Sequence, residues 1–257
     1  MSDTNNQAHP LLRATGLTRR FGGLTAVDAV SIDLHVGQVH AVIGTNGAGK
    51  STLINMLSGE IPPSGGSIAF EGVDISRWSQ PRRARAGVGR SYQRTTIFHS
   101  FDVLENCRLA AQAAMQRPWA VWQAASACSG SLARARDAME VAGLANTAHT
   151  LAGSLSHGQQ RQLEIAMCLA TGPRALLLDE PLAGMGAEES ERMLRMLERL
   201  KHTHAVLLVE HDMDAVFRVA DHITVMVNGQ VIASAAPEAI RNNPDVQLAY
   251  LGEAPVS

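Results

Sequence analysis

The chain has 257 residues, a formal net charge of -2, 46% hydrophobic and 18% charged residues. That is enough apolar chain to bury a sizeable core and too little charge for disorder, and the near-neutral balance gives no sign of a nucleic-acid binder. The cysteines Cys107, Cys128 and Cys168 are scattered without metal-ligand spacing and read as buried thiols of a reducing compartment.

The polar start MSDTNNQAHP has no apolar h-region, so no secretory leader is expected. The apolar runs fall well short of the ~20 residues that a spanning helix needs. Residues 11–45 read as strand-rich. Alternation over residues 31–34 predicts a half-buried strand, and residues 36–38 predict a turn. A second strand, residues 39–43, runs directly into a glycine-rich loop, and residues 51–58 follow as a helix. The Pro62-Pro63-Ser64-Gly65-Gly66 cluster is a turn before a short strand at residues 68–70.

From about residue 76 the chain collects Arg77, Arg82, Arg83, Arg85, Arg90 and Arg94 without an acid between them. A solvated face is the plain reading, and a face toward anionic lipid is the alternative. From about Val103 to Ala170 the composition is alanine-rich and helical, interrupted by Pro118-Trp119-Ala120-Val121-Trp122. Strands return at residues 175–178, 205–209 and 223–227. The first two are unbroken apolar runs, as parallel strands covered on both faces require. Asn228-Gly229 predicts a hairpin turn, and residues 245–251 a closing helix.

The run Gly44-Thr45-Asn46-Gly47-Ala48-Gly49-Lys50-Ser51-Thr52 contains G-x-x-x-x-G-K-[ST] between a predicted strand and a predicted helix. Glycines let backbone N–H groups turn inward around phosphate oxygens, and the helix aims its positive end at the same place. Lys50 supplies a point charge for the β- and γ-phosphates, and Ser51 a hydroxyl for Mg²⁺. Asp179 and Glu180 end a buried strand, at the edge where open α/β sheets bind ligands. Asp179 would hold Mg²⁺ through water, and Glu180 would orient or deprotonate an attacking water. Solvated strand-end acids are the bland alternative. His211 ends another apolar strand and would reach the γ-phosphate and that water. The other histidines (His9, His35, His149, His202, His204, His222) read as surface or satisfied residues. Gln93, ahead of the helical region, would reach Mg²⁺ or the attacking water with its carbonyl. Phe21 either stacks on adenine, worth roughly 1–3 kcal/mol, or anchors the first hairpin.

Leu155-Ser156-His157-Gly158-Gln159 lies between these halves of a nucleotide site, just ahead of a predicted helix at residues 160–170. Ser156 has the chemistry of a helix cap. Its functional reading is a helix end aimed at a γ-phosphate held by another chain.

With the phosphate loop, Gln93, LSHGQ, LLLDE and His211 in that order, the chain resembles the ATPase subunit of ABC transporters. That resemblance implies an α/β fold: a P-loop NTPase with a RecA-like core, an antiparallel β subdomain and a helical subdomain. Residues 11–92 and 171–235 would form the catalytic core with the β subdomain, 93–170 the helical subdomain and 236–257 a helical tail. Residues 21–27, 91–98, 163–167, 209–213 and 249–253 look like the ATP-binding subunit of branched-chain amino acid importers. The implied setting is a peripheral subunit on the cytoplasmic face of the inner membrane, using ATP and Mg²⁺. Its partners would be a second ATPase chain, two permease chains and, indirectly, an extracytoplasmic solute-binding protein, with no nucleic acid. An ATP-sandwich dimer would place Ser156, His157, Gly158 and Gln159 against the partner's γ-phosphate.

Two positions depart from the family pattern. His157 stands where glycine is commonest, and Gly186 stands where most members carry an aspartate that crosses the dimer interface. Ile97, Phe98, Phe101 and Val103 would form a docking groove for the permease or, equally, the core of the helical subdomain. An envelope-lipid exporter ATPase and a soluble ABC ATPase of translation or DNA repair are the alternatives. The single phosphate loop and the absence of a coiled-coil insertion weigh against the soluble types.

Overall fold

The computed structural model describes residues 9–92, 96–115 and 129–251. Gln93, Arg94, Thr95, the segment 118–122 and Cys128 fall outside them.

Three strands without an exposed residue form the centre: β3 (Val39–Gly44), β7 (Ala175–Asp179) and β8 (Ala205–Val209). The apolar runs of β7 and β8 are what a parallel strand with both faces covered requires, and β3 matches them apart from the buried His40. They sit in a six-stranded sheet with β6 (Val88–Arg90), β9 (His222–Val227) and β10 (Gln230–Ala235), in the order β10-β9-β3-β8-β7-β6. Pairing is parallel except for β9 with β10. Asn228 and Gly229 join those two strands at φ 48° and 82°, the two left-handed residues of the expected tight hairpin.

Successive residues of the central strands divide two cores. Ala175, Leu177, Leu207 and Val209 pack with α1 (Lys50–Ser58) and a second sheet. That sheet is antiparallel, in the order β2 (Leu24–Leu34), β1 (Leu12–Phe21), β4 (Gly65–Phe70), β5 (Val73–Asp74). Leu176, Leu178, Val206 and Leu208 face the other core. There lie α3 (Val103–Met115), α4 (Ser129–Val141), α5 (His157–Ala170), α6 (Ala187–Lys201) and α7 (Met213–Val219). Helices α3, α4 and α5 pack on one another. The chain closes with α8 (Pro237–Arg241) and α9 (Pro244–Leu251). Among the described residues no helix is long and apolar enough to cross a membrane.

The arginine stretch is structured rather than a uniform solvated face. It holds α2 (Gln80–Ala86) and β6. Arg83 is 1% exposed, and its guanidinium donates to the carbonyl oxygens of Met56, Leu57, Ser76 and Trp78. It thereby satisfies the open end of α1, and burial pulls its pKa down to about 10. The Arg90 side chain is buried as well. Neither charge faces lipid or bulk water, whereas Arg77, Arg82 and Arg85 are exposed. The proposed docking residues divide in the same way. Ile97 and Val103 belong to the core, while Phe98 and Phe101 are exposed with ring centroids 5.7 Å apart.

Candidate functional site

The glycine-rich loop leaves β3 at Gly44 and enters α1 at Lys50. A side chain at Gly44 would run into the Met226 carbonyl oxygen of β9. One at Gly49, which sits at φ 98°, would meet the Ala26 carbonyl oxygen of β2. These two contacts seat the loop between both sheets, which only glycine permits. Thr45, Asn46, Gly47 and Ala48 form the turn, closed by the Ala48 N–H on the Thr45 carbonyl oxygen at 3.1 Å. Ser51 and Thr52 lie in the first turn of α1, with Ser51 exposed. Lys50 is 7% exposed, and its ammonium donates to the carbonyl oxygens of Gly44 at 2.6 Å and Thr45 at 3.1 Å. Burial lowers its pKa from the usual value, opposed by Glu180 and Asp179.

Those two acids end β7. Asp179 is 3% exposed; Oδ2 faces the Arg90 guanidinium at 3.5 Å, and Oδ1 is buried without a hydrogen-bond partner. Arg90 in turn donates to Glu60 and to the Ser58 hydroxyl, each at 2.8 Å, and lies 5.0 Å from the Tyr92 ring centroid. Burial pushes the Asp179 carboxyl above the usual range, with Arg90 pulling the other way. Glu180 sits at φ 48°, a left-handed conformation that costs a non-glycine residue about 1 kcal/mol and concentrates at functional sites. Its N–H donates to the Val209 carbonyl oxygen at 2.9 Å. His211 Nδ1 lies 3.9 Å from Glu180 Oε1, on a side chain 60% exposed. The structure therefore brings Lys50, Asp179, Glu180 and His211 to one edge of the sheet, the carboxyl edge of β3, β7 and β8. Such an edge is where ligands of open α/β sheets bind.

Phe21 ends β1, is 45% exposed and pairs with Leu24 across the hairpin. The Arg19 guanidinium lies 4.6 Å from its ring centroid. Gln93 falls outside the described residues, so the structure does not bear on its place in the site.

Helix α5 begins at His157, three residues before the start read from the sequence, so His157, Gly158 and Gln159 form its first turn. The reason is a capping box. The Gln159 N–H donates to Ser156 Oγ at 3.3 Å, and the Ser156 N–H donates to Gln159 Oε1 at 3.0 Å. The Ser156 hydroxyl donates to Glu189 Oε1 at 2.8 Å. His157 Nε2 donates to the Ala183 carbonyl oxygen at 3.2 Å, and its ring lies against Gly184. The histidine that replaces the commoner glycine thus ties this helix start to the loop 181–186.

Three residues of this region escaped the sequence reading. Arg90 braces Asp179. Glu210, fully buried, accepts the N–H groups of Leu182 at 2.8 Å and His211 at 3.1 Å. Glu189 holds Ser156. Its position three residues after Gly186, at the start of an amphipathic helix, is the one signal that marks it as a capping acid.

Comparison with known proteins agrees with this geometry. A family profile described as ABC transporter matches residues 27–183. A second, described as branched-chain amino acid ATP-binding cassette transporter, matches residues 230–255. The chain is 40% identical over 257 residues to the high-affinity branched-chain amino acid transport ATP-binding protein BraF of Pseudomonas aeruginosa, covering 96% of this chain and 100% of that one. To LivG of Escherichia coli, which carries the same description, it is 39% identical over 254 residues, covering 96% and 100%. A solved nucleotide-free ATP-binding cassette from an ABC transporter superposes with a TM-score of 0.84 at 31% identity, covering 95% of this chain and 99% of that one.

Proposed function

The chain belongs to the ABC transporter ATPase family, and from that membership we propose that it is the ATP-hydrolysing subunit of a branched-chain amino acid importer. The observation that carries the catalytic part is the convergence of Lys50, Asp179, Glu180 and His211 beside the phosphate loop. The relatives' descriptions and the profile match at residues 230–255 support the import reading over lipid export or a soluble role.

ATP would lie on the loop from Gly44 to Thr52, with Phe21 against the adenine. A Mg²⁺ ion suits the residues present. It takes one or two protein oxygens beside phosphates and water, and the buried, unpartnered Asp179 Oδ1 with the exposed Ser51 hydroxyl fits that need. Bound there, it would neutralise charge on the β- and γ-phosphates. Glu180 takes the proton of the attacking water as its oxygen bonds to the γ-phosphorus, and the β–γ bridging oxygen leaves with the electron pair. His211, beside Glu180, orients that water. Gln93 would reach the same water or the ion.

Ser156, His157, Gly158 and Gln159 would face the γ-phosphate of a second ATPase chain, with Gln159 Oε1 committed to the cap and its amide nitrogen as the donor. Two ATP molecules then bridge the chains, and hydrolysis removes the bridge. The exposed Phe98–Phe101 pair would offer the permease an apolar foothold, in keeping with a peripheral subunit on the cytoplasmic face of the inner membrane. The solute-binding protein acts from the far side.

The test is Glu180→Gln in the assembled transporter. ATP binding persists, turnover falls by about 10²–10⁴-fold, and the two ATPase chains remain closed on ATP. Turnover close to wild type would remove Glu180 from the chemistry, and an interface indifferent to ATP would remove the sandwich.

A further inference from the structure

Two donors of the LSHGQ run, the Ser156 hydroxyl and the Gly158 N–H, are already engaged within the chain. Ser156 has one hydroxyl hydrogen, and it points to Glu189 Oε1 at 2.8 Å. The Gly158 N–H faces the same carboxylate, and the Gly186 N–H donates to its other oxygen at 3.4 Å. A side chain at Gly158 would collide with that carboxylate, so the glycine is what lets Glu189 come so close. The Ser156 hydroxyl, ahead of the two N–H groups, holds the Glu189 carboxyl below the usual carboxylate range. An anion thus occupies the start of α5, where unpaired N–H groups and the helix dipole favour negative charge.

A γ-phosphate arriving from a facing chain needs the same donors. A carboxylate only accepts hydrogen bonds, so it cannot share the single Ser156 proton with a second anion, and two anions on one helix end repel. Glu189 is partly exposed, so it can leave for water without stranding a buried charge. It also lies at the far end of the loop 181–186 that follows Glu180, the loop His157 holds through Ala183.

We infer that Glu189 is a positioning residue for the signature run: in the open chain it holds the donors of Ser156 and Gly158, and the γ-phosphate of the facing chain's nucleotide must displace it before the chains close. This rests on the proposed ATP-bridged dimer. Its consequence is a raised ATP threshold for closure, set within the chain, together with a link from phosphate arrival to the loop behind Glu180.

The test uses the assembled transporter in a Glu180→Gln background, with closure followed by energy transfer between the two ATPase chains. Glu189→Ala lowers the ATP concentration for half-closure by about tenfold. Glu189→Gln, which keeps an acceptor without the charge, lowers it by less. Binding of a fluorescent ATP analogue to the separate full-length chain stays unchanged in both, which a merely structural role would not produce alongside a shifted threshold. A threshold that is unchanged or raised in both variants overturns the inference. Should the Glu180→Gln parent itself fail to close on ATP, the bridged-dimer reading falls, and the role of Glu189 with it.

Discussion

The two ends of the six-stranded sheet both bury polar groups, but they treat them differently. At the amino end, His40 donates from Nδ1 to the Asp33 carbonyl oxygen at 2.9 Å and accepts at Nε2 from the Thr224 hydroxyl at 2.8 Å. Thr224 is joined to Ser234, and Ser234 to His222. Asp221 accepts the Val39 N–H at 2.8 Å and faces Lys201 at 3.2 Å. At the carboxyl end, Asp179 keeps a buried oxygen without a partner, and Glu180 holds a left-handed backbone. A buried polar group left unsatisfied is costly, so among the described residues of the sheet's two ends Asp179 Oδ1 marks the carboxyl end as the candidate site. A cavity of about 640 Å³ opens on the amino side beside His40 and His222. A cavity of that size does not by itself mark the edge where the acids converge.

The sharpest way to break this comparison is Asp179→Asn. The shape is kept and the charge removed. ATP turnover is expected to fall by roughly 10²–10³-fold, the size typical of losing one electrostatic contact in a catalytic site. Burial raises the Asp179 carboxyl pKa, so the ionised form opposes folding, and the amide should leave the Tm unchanged or higher. Activity lost together with stability would make Asp179 an ordinary structural acid. Steady-state kinetics and thermal melts on the same preparation decide it.

Glu210 supplies the contrast within the same edge. It is one strand over from Asp179, equally buried, and fully satisfied by two backbone N–H groups. Glu210→Leu leaves both without a partner. The expected cost is about 3 kcal/mol, or roughly 6–12 °C in Tm for a chain of this size, measured by denaturant and thermal unfolding. A Tm within a degree of wild type would mean that the loop finds other partners.

Such differences between neighbouring acids mark how far the sequence can be read. Strands β7 and β8 are legible because continuous burial leaves a continuous apolar run, and β3 because only His40 interrupts its own. The phosphate loop is legible because Gly44 and Gly49 are demanded by close approach to Met226 and Ala26. LLLDE and LLVEH read alike, yet only the fold shows that Asp179 lacks a partner while Glu210 has two. The stretch holding α2 and β6 is opaque for a related reason: pattern reading assigns arginine to the surface, but Arg83 and Arg90 serve as buried donors to carbonyl and carboxylate oxygens. Apolar periodicity places the start of α5 three residues late, because the capping box closed by Gln159 carries no apolar signal. The bond from Ser156 to Glu189 lies beyond sequence reading, since the two are 33 positions apart, although the spacing after Gly186 marks Glu189 as a capping acid.

The smallest expected effect tests the satisfied end. Burial pushes the His40 pKa down to about 4 from 6.5. The unfolded chain therefore binds a proton below pH 6.5 that the folded chain refuses until about pH 4. Stability is whole above the upper value and is lost as pH falls from 6.5 toward 4. His222 and His204, also lowered by burial, act with the same sign. For His40 alone the loss between pH 7 and pH 5 comes to about 2 kcal/mol. Urea unfolding at the two values, for wild type and His40→Gln, isolates it: the variant's stability should fall with acid by about that much less. Equal slopes would mean that His40 protonates in place and that its bonds to Asp33 and Thr224 rearrange to keep the charge. The amino end would then be as tolerant of an altered proton as the carboxyl edge is of an unpaired oxygen.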